Sequence, residues 1–186
     1  MSRNRRFSAF SRDRRGATAV EFALISPVLI LLIAGAVDLG GELYTKFQLD
    51  CAVNAGIGYA MANAGSVSSS GGAGLASTMA ALVANAQGTS SANSAITVNN
   101  GPTASAGASS GSGGTASAAD SCYCPSGTAP AVTWGAATTC GGACSSGGYA
   151  GKFVLVQASA SYAPIFTGYG FVKAGQITSS SIVRVQ

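Results

Sequence analysis

Histidine is absent from the 186 residues of the chain, and charged residues make up only 9% of them. Histidine is the commonest general base and the commonest metal ligand near neutral pH, so its absence disfavours an enzyme. The sequence also has no GxSxG, SxxK, HExxH or P-loop motif, and we therefore expect no catalysis, no metal and no cofactor. Soluble globular domains carry about 25% charged residues. So little charge, together with a mean hydropathy of +0.36, favours a membrane or envelope protein.

The net charge of +4 comes from one short N-terminal tail. The segment 1–15 holds six arginines against one aspartate, whereas the rest of the chain carries a slight excess of acid. A nucleic-acid-binding surface needs cations spread over the folded body, so we expect no nucleic-acid partner. We interpret residues 1–16 as a basic cytoplasmic leader.

An apolar stretch follows this leader at residues 17–37, and its only charged member is Glu21. As a helix of about 1.5 Å per residue it would be about 31 Å long, which matches the hydrocarbon core of a bilayer. The arginines before it and the acids after it favour a single pass with a cytoplasmic N-terminus. Everything after residue 37 is then outside the cytoplasm.

The chain after this segment predicts a small α+β head at residues 65–186, carried on a membrane stalk. The helix should continue to about residue 64, with Glu42 and Lys46 placed for an i, i+4 pair and Gly40 and Gly41 weakening it near the membrane surface. A second helix should end near Gln87, with one apolar stripe along it. That stripe consists of Leu75, Met79, Leu82 and Val83.

Strands are indicated at residues 95–98, 152–162 and 177–185 by their apolar and β-branched residues. We interpret the last two as an antiparallel pair joined by an aromatic-rich connection at residues 163–176. Between the first strand and this pair, the segment 101–121 consists of Gly, Ser, Ala and Thr except at Pro102 and Asp120, which predicts a mobile loop. The head is poor in large apolar residues, so we expect it to need disulfides or contacts with neighbouring subunits for its stability.

Four cysteines in the segment 122–144 could form such disulfides. They are Cys122, Cys124, Cys140 and Cys144. Three connectivities are open, and a bridge between the two pairs would close a loop of roughly 16 to 22 residues, worth about 3 kcal/mol in the chain-entropy model. The alternative is a zinc site, although the spacing lacks CxxC knuckles. Cys51, on the long helix, is interpreted as a small buried apolar residue.

Glu21 requires an explanation because an ionised carboxylate inside a bilayer costs several kcal/mol unless it is paired. If the chain is cut after Gly16, the new amino group of Ala17, on this or a neighbouring subunit, would lie at the depth of Glu21. The pair would then set the register of a helical assembly. The alternative is that Glu21 simply lies among the lipid headgroups. Pro27 lacks an amide donor and should kink the helix or loosen one turn.

These residues resemble the TadE-like family, the pseudopilins of the tight-adherence (Flp) pilus machinery, which is related to type IV pili. The resemblance rests on Arg14-Arg15-Gly16-Ala17-Thr18-Ala19-Val20-Glu21-Phe22, on Pro27, and on the Ala/Gly-rich run 51–60. It implies cleavage between Gly16 and Ala17 by a prepilin peptidase, and assembly through Glu21, Phe22 and Pro27 with other pilin subunits and an assembly platform. It also implies a bacterial inner membrane, with a pilin-like head on its periplasmic or extracellular side.

A rival interpretation uses a different cut. The basic region, the apolar run and Ala34-Gly35-Ala36 also fit a secretory signal with cleavage after Ala36. The mature protein would then be a secreted, disulfide-stapled surface or adhesion domain. The N-terminal residue of the mature chain distinguishes the two interpretations.

Overall fold

The structure is a computed structural model that describes residues 16–86, 92–165 and 175–186. Most of the basic leader, and the aromatic part of the connection 163–176, lie outside the described residues. Two α-helices, α1 (Ala17–Ala62) and α2 (Gly72–Asn85), precede the sheet. The strands are β1 (Asn93–Val98), β2 (Thr103–Ala106), β3 (Gly111–Gly113), β4 (Ser126–Thr128), β5 (Ala131–Thr133), β6 (Phe153–Tyr162) and β7 (Gly175–Arg184). The predicted α+β class is confirmed.

Five of these strands form one antiparallel sheet in the order β3-β2-β1-β6-β7. The predicted pairing of the last two strands is confirmed along their whole length, from Phe153 opposite Arg184 to Tyr162 opposite Gly175. Both helices pack on one face of this sheet, α1 against β6 and β7 and α2 against β1 and β2. The core therefore lies between two helices and one sheet face.

The core is built mainly from small and β-branched side chains, and Leu49 and Met79 are the largest side chains that are fully buried in it. Ile96 of β1 and Val156 of β6 lie opposite each other, and both are buried against the helices. The predicted stripe of α2 supplies Met79 and Val83, which are also fully buried. The outer face of the sheet carries polar side chains such as Gln157 and Ser180, so the alternation of the strands separates core from solvent.

At Gly56, α1 lies close to both α2 and the sheet. A Cβ atom built on Gly56 would lie 2.8 Å from Val83 and 3.2 Å from Val156. Two residues further along the same helix, Gly58 is exposed and has nothing within 4 Å of the equivalent position. The absence of a side chain at residue 56 therefore allows the helix crossing, whereas the one at residue 58 serves no packing purpose in this chain.

The prediction of a mobile loop at residues 101–121 is wrong. This segment contains β2, β3 and a 3₁₀ turn at Ala116–Asp120. Small residues bury little surface, but their backbone groups complete the ladder from β1 to β3. The tight β1–β2 turn places Asn99 and Asn100 at positive φ, a conformation that asparagine tolerates better than most residues.

The side chain of Asn99 connects this turn to the rest of the head. It is fully buried, and its amide nitrogen donates to the carbonyl oxygens of Ala119 at 3.0 Å and Ser121 at 2.6 Å. Its Oδ1 accepts from the amide of Phe153 at 3.1 Å. One side chain thus joins the 3₁₀ turn, the start of the cysteine segment and β6. No motif or spacing in the sequence indicates this role of Asn99.

Candidate functional site

The N-terminal half of α1 is an exposed apolar surface. From Val20 to Ile33 its large apolar side chains are 37% to 72% exposed, and they lie on all sides of the helix. A surface helix of a soluble protein would hide one side, so this pattern is that of a helix that needs a non-aqueous surrounding. By length and composition α1 is compatible with a single membrane span.

The predicted processing residues lie at the start of this helix. Gly16 immediately precedes α1, is exposed, and has nothing within 4 Å of a Cβ built on it. Glu21 and Phe22 follow within the first two turns, and both are exposed. The helix continues through Pro27 without interruption. Ala17 and Glu21 are related as i and i+4, so the two lie on the same side of the helix.

The exposed apolar surface extends beyond residue 37. Leu39, Leu43, Tyr44 and Phe47 are between 50% and 65% exposed. The exposed run from Val20 to Phe47 is about 40 Å long at about 1.5 Å per residue, roughly 10 Å more than a hydrocarbon core covers. The exposed apolar surface of α1 is therefore longer than the hydrocarbon core of a bilayer.

The opposite side of α1 begins to contact the head at the end of the predicted span. Ala34 and Asp38 are buried, at 1% and 3% exposure. The hydroxyl of Tyr162 donates to the carbonyl oxygen of Asp38 at 2.7 Å, and the amide of Ile165 donates to the Asp38 carboxylate at 2.8 Å. We call this group of Asp38, Tyr162 and Ile165 the clasp, because it ties the end of β6 to the helix.

Gly41 makes room for the clasp. A Cβ on this residue would lie 2.7 Å from the hydroxyl oxygen of Tyr162. By composition, Gly40 and Gly41 are weak points of the helix. In the structure α1 passes through both, and Gly41 allows the close approach of the Tyr162 side chain. Burial, followed by the nearby carboxylates of Asp38 and Glu42, raises the pKa of Tyr162, so its hydroxyl stays protonated and able to donate.

Further along α1, charged groups join the helix to the edge strand β7. Lys46 pairs with Asp50 at 3.0 Å, not with Glu42 as predicted, and its ammonium also donates to the carbonyl oxygen of Thr178 at 2.8 Å. The hydroxyl of Ser179 donates to Asp50 at 2.5 Å. This hydrogen bond and Lys46 lower the pKa of Asp50 against the opposing effect of desolvation. The hydrogen bonds with β7 thus explain why Lys46 pairs with Asp50 and not with Glu42.

The cysteines form two interleaved disulfides, Cys122–Cys140 and Cys124–Cys144. Each of these sulfurs is consumed in an S–S bond, so the four cysteines offer no thiolate to zinc in this structure. The hairpin β4–β5 and an edge-to-face contact between Tyr123 and Trp134 complete this cysteine lobe. Cys51 is exposed on α1, so the expectation that it is a buried apolar residue is wrong.

A groove of about 610 Å³ lies between the cysteine lobe and the outer face of the sheet. Pro130 of the lobe lines one side, and hydroxyl and amide side chains of β1, β6 and β7, among them Gln157 and Ser180, line the other. None of its described lining residues titrates near neutral pH. The groove thus offers hydrogen bonds to a neutral polar molecule, but it offers no acid–base pair for catalysis.

The geometry defines a class of protein in which one long apolar helix carries a small α+β head. Within this chain, residues 16–57 match the family model described as TadE-like protein. The match confirms the predicted resemblance over these residues, which make up less than a quarter of the chain and end inside α1. It includes Gly16, Ala17, Glu21, Phe22 and Pro27. No curated protein and no solved structure matches the chain.

Proposed function

We propose that this protein is a structural subunit of a tight-adherence (Flp) pilus assembly system, anchored by α1 and assembled through it. The observation that carries the proposal is the coincidence of the TadE-like match at residues 16–57 with the exposed half of α1. The protein acts by packing against other subunits and positioning them, and it catalyses no reaction. Its partners are the bilayer, a prepilin peptidase and other pilin subunits. The head stands on the periplasmic side of the inner membrane.

Processing is the first step of this proposal. A prepilin peptidase cleaves between Gly16 and Ala17 and leaves a mature chain of residues 17–186. Glycine suits the protease because a residue without a side chain lets an extended backbone enter a narrow site. The exposure of Gly16 and the open space around it are compatible with access by a protease.

Intact mass measurement of the protein recovered from membranes tests this step. A chain that begins at Ala17 supports the proposal, and Gly16→Val should then give the uncleaved form. A chain that begins at Val37 would make this a secreted domain released after Ala36. An uncleaved wild-type chain would leave a plain membrane-anchored protein and would remove the cation proposed for Glu21.

Assembly is the second step. The new ammonium of Ala17 on one subunit pairs with the Glu21 carboxylate of its neighbour, and the pairing removes the cost of a lone charge at the inner end of the span. The exposed side chains from Leu39 to Phe47 then pack against a helix of the neighbouring subunit. Pairing fixes the register of the two helices, and apolar packing holds them together.

Glu21→Gln tests the pairing because it removes the charge and keeps the shape of the side chain. With a photo-crosslinking residue in place of Leu24, which is 72% exposed in the same run, we expect the parent chain to give crosslinked species with pilin subunits. We expect Glu21→Gln to lose most of them while export and cleavage continue. Glu42→Gln is the matched control, since it removes a glutamate of the same helix outside the span. Equal crosslinking of the wild type and Glu21→Gln would contradict the register role.

A further inference from the structure

The groove on the outer face of the sheet has a floor of neutral polar side chains arranged in two rows. The pairing of β6 with β7 places Gln157 opposite Ser180 in one row and Ser159 opposite Thr178 in the next. Such side chains lie about 4.8 Å apart across neighbouring strands and about 7 Å apart along one strand. The floor therefore presents hydroxyl and amide groups as a small flat grid.

The four floor side chains are free to bind a ligand. In the part of the chain that the structure describes, none of them hydrogen-bonds to another protein group, although Gln157, Ser159 and Ser180 are half-buried. Ser179 lies between two of them in β7 but faces the helices, and its hydroxyl donates to Asp50 at 2.5 Å. The protein thus pairs the hydroxyl that faces its core and leaves those that face the groove to solvent or a ligand.

The fold holds the two walls of the groove in place. One wall is the turn after β2, where Gly107 has a φ of 117° and the amide of Ala108 donates to Oδ1 of Asn93 at 2.7 Å. A Cβ on Gly107 would lie 2.5 Å from the carbonyl oxygen of Ala92, so this turn requires glycine. Pro130 of the disulfide-bonded lobe forms the other wall. The volume of about 610 Å³ suits a small ligand.

The lining excludes several classes of ligand. The described lining residues carry no charge, so a phosphate or a carboxylate would find no counter-ion. The polar floor offers a lipid chain little apolar contact. An extended peptide pairs through its backbone with a strand edge, whereas this groove lies over the side chains of β1 and β6. Hydroxyl and amide groups that donate and accept match the ring hydroxyls of a neutral sugar.

We propose that this groove binds a neutral oligosaccharide through Gln157, Ser159, Thr178 and Ser180. The groove lies on the sheet face opposite both helices, so assembly through α1 leaves it open. The head then attaches the subunit to a polysaccharide, which is either an unsubstituted glucan or an N-acetylated wall glycan. This binding depends neither on membrane insertion nor on cleavage, and it therefore goes beyond the proposed function.

Saturation-transfer NMR and calorimetry test the site on the full chain in lipid nanodiscs, with the disulfides intact and without sugar-based detergent. The neutral probes are maltohexaose and the hexamer of N-acetylglucosamine, and a hexamer of galacturonic acid is the charged comparison. Gln157→Leu combined with Ser180→Val removes the polar groups of one row, and Ser159→Val repeats the test in the other. Thr97→Val is the matched control, because Thr97 lies on the same sheet face outside the groove.

We expect at least one neutral probe to bind, and the double variant to bind it about tenfold more weakly, since two neutral hydrogen bonds are lost. Thr97→Val should bind as the parent chain does. All variants should unfold at the parent temperature, because the removed groups have no partner among the described residues. Binding of maltohexaose alone would identify a glucan, and binding of the N-acetylated probe alone a wall glycan; either supports the site.

Three results would overturn the site. They are the absence of binding of both neutral probes, tighter binding of the charged probe, and unchanged affinity in the folded double variant and in Ser159→Val. Each of them would leave the processing of the chain and its assembly through α1 untouched.

Discussion

Replacing Gly56 by alanine should destabilise the head, although the same change at Gly58 should stabilise it. Both positions lie inside α1, where alanine is more favourable than glycine by about 1 kcal/mol. At Gly58 the added methyl group meets nothing within 4 Å, so the full gain of about 0.5 to 1 kcal/mol is expected. At Gly56 it would lie 2.8 Å from Val83 and 3.2 Å from Val156, closer than carbon atoms can approach without movement.

The expected magnitude is the difference between the changes in unfolding free energy that the two substitutions cause. Overpacking of a filled core costs about 1 to 3 kcal/mol, and the propensity gain is common to both variants. The difference in unfolding free energy between Gly58→Ala and Gly56→Ala should therefore be about 1 to 3 kcal/mol. Guanidinium unfolding of the full chain in mild detergent, followed by circular dichroism, measures this difference as a shift of the midpoint at constant slope.

Val83 provides the internal check. Val83→Ala creates a cavity when made alone, but combined with Gly56→Ala it removes the atom that the new methyl group would approach at 2.8 Å. The double variant should therefore be more stable than the sum of the single effects predicts, with a favourable coupling of about 0.5 to 3 kcal/mol. Equal stabilisation by Gly56→Ala and Gly58→Ala, or additive effects of Gly56→Ala and Val83→Ala, would refute the close-packed crossing.

Two other perturbations follow from buried or paired polar groups. Asn99→Ala leaves the amide of Phe153 and the carbonyl oxygens bonded to Asn99 without a partner. It should lower the unfolding free energy by about 1 to 3 kcal/mol more than Asn100→Ala, because Asn100 also has a positive φ but is exposed. Equal losses of stability in thermal unfolding would contradict this. The lowered pKa of Asp50 in the folded head means that its contribution is fully present above the ordinary value of 3.8 and is lost as the pH falls through the lowered value. Asp50→Asn should therefore flatten the stability of the head below about pH 4 relative to the wild type, and a parallel acid decline in both proteins would show that other carboxylates dominate.

The features that the sequence predicted well are those set by local composition. The apolar run 17–37, with one charge, forms a helix in any apolar surrounding, and the β-branched residues of β6 and β7 suit paired strands. The apolar spacing of α2 likewise indicated its buried side. The disulfide connectivity was open because cysteine spacing does not say which sulfurs meet in space.

The features that the sequence predicted poorly depend on partners far along the chain. The segment 101–121 is ordered by its pairing with β1 and by Asn99, and neither is visible in its Gly/Ser-rich composition. Lys46 has acids at both i−4 and i+4, and the carbonyl of Thr178 in β7 decides between them. The clasp was missed because Asp38 and Tyr162 are separated by 124 residues in the sequence.

The long helix α1 is therefore one continuous helix with two different surroundings along its length. Before Ala34 its apolar side chains are exposed on all sides, whereas beyond it one side is packed against the head and the other still carries exposed residues from Leu39 to Phe47. Because the clasp, the hydrogen bond from Lys46 to Thr178 and the hydrogen bond from Ser179 to Asp50 tie the head to α1, any axial movement of α1 has to carry the head with it. In the assembly proposed above, a subunit drawn from the bilayer into a filament would keep its head fixed on α1 and would exchange only lipid for neighbouring helices.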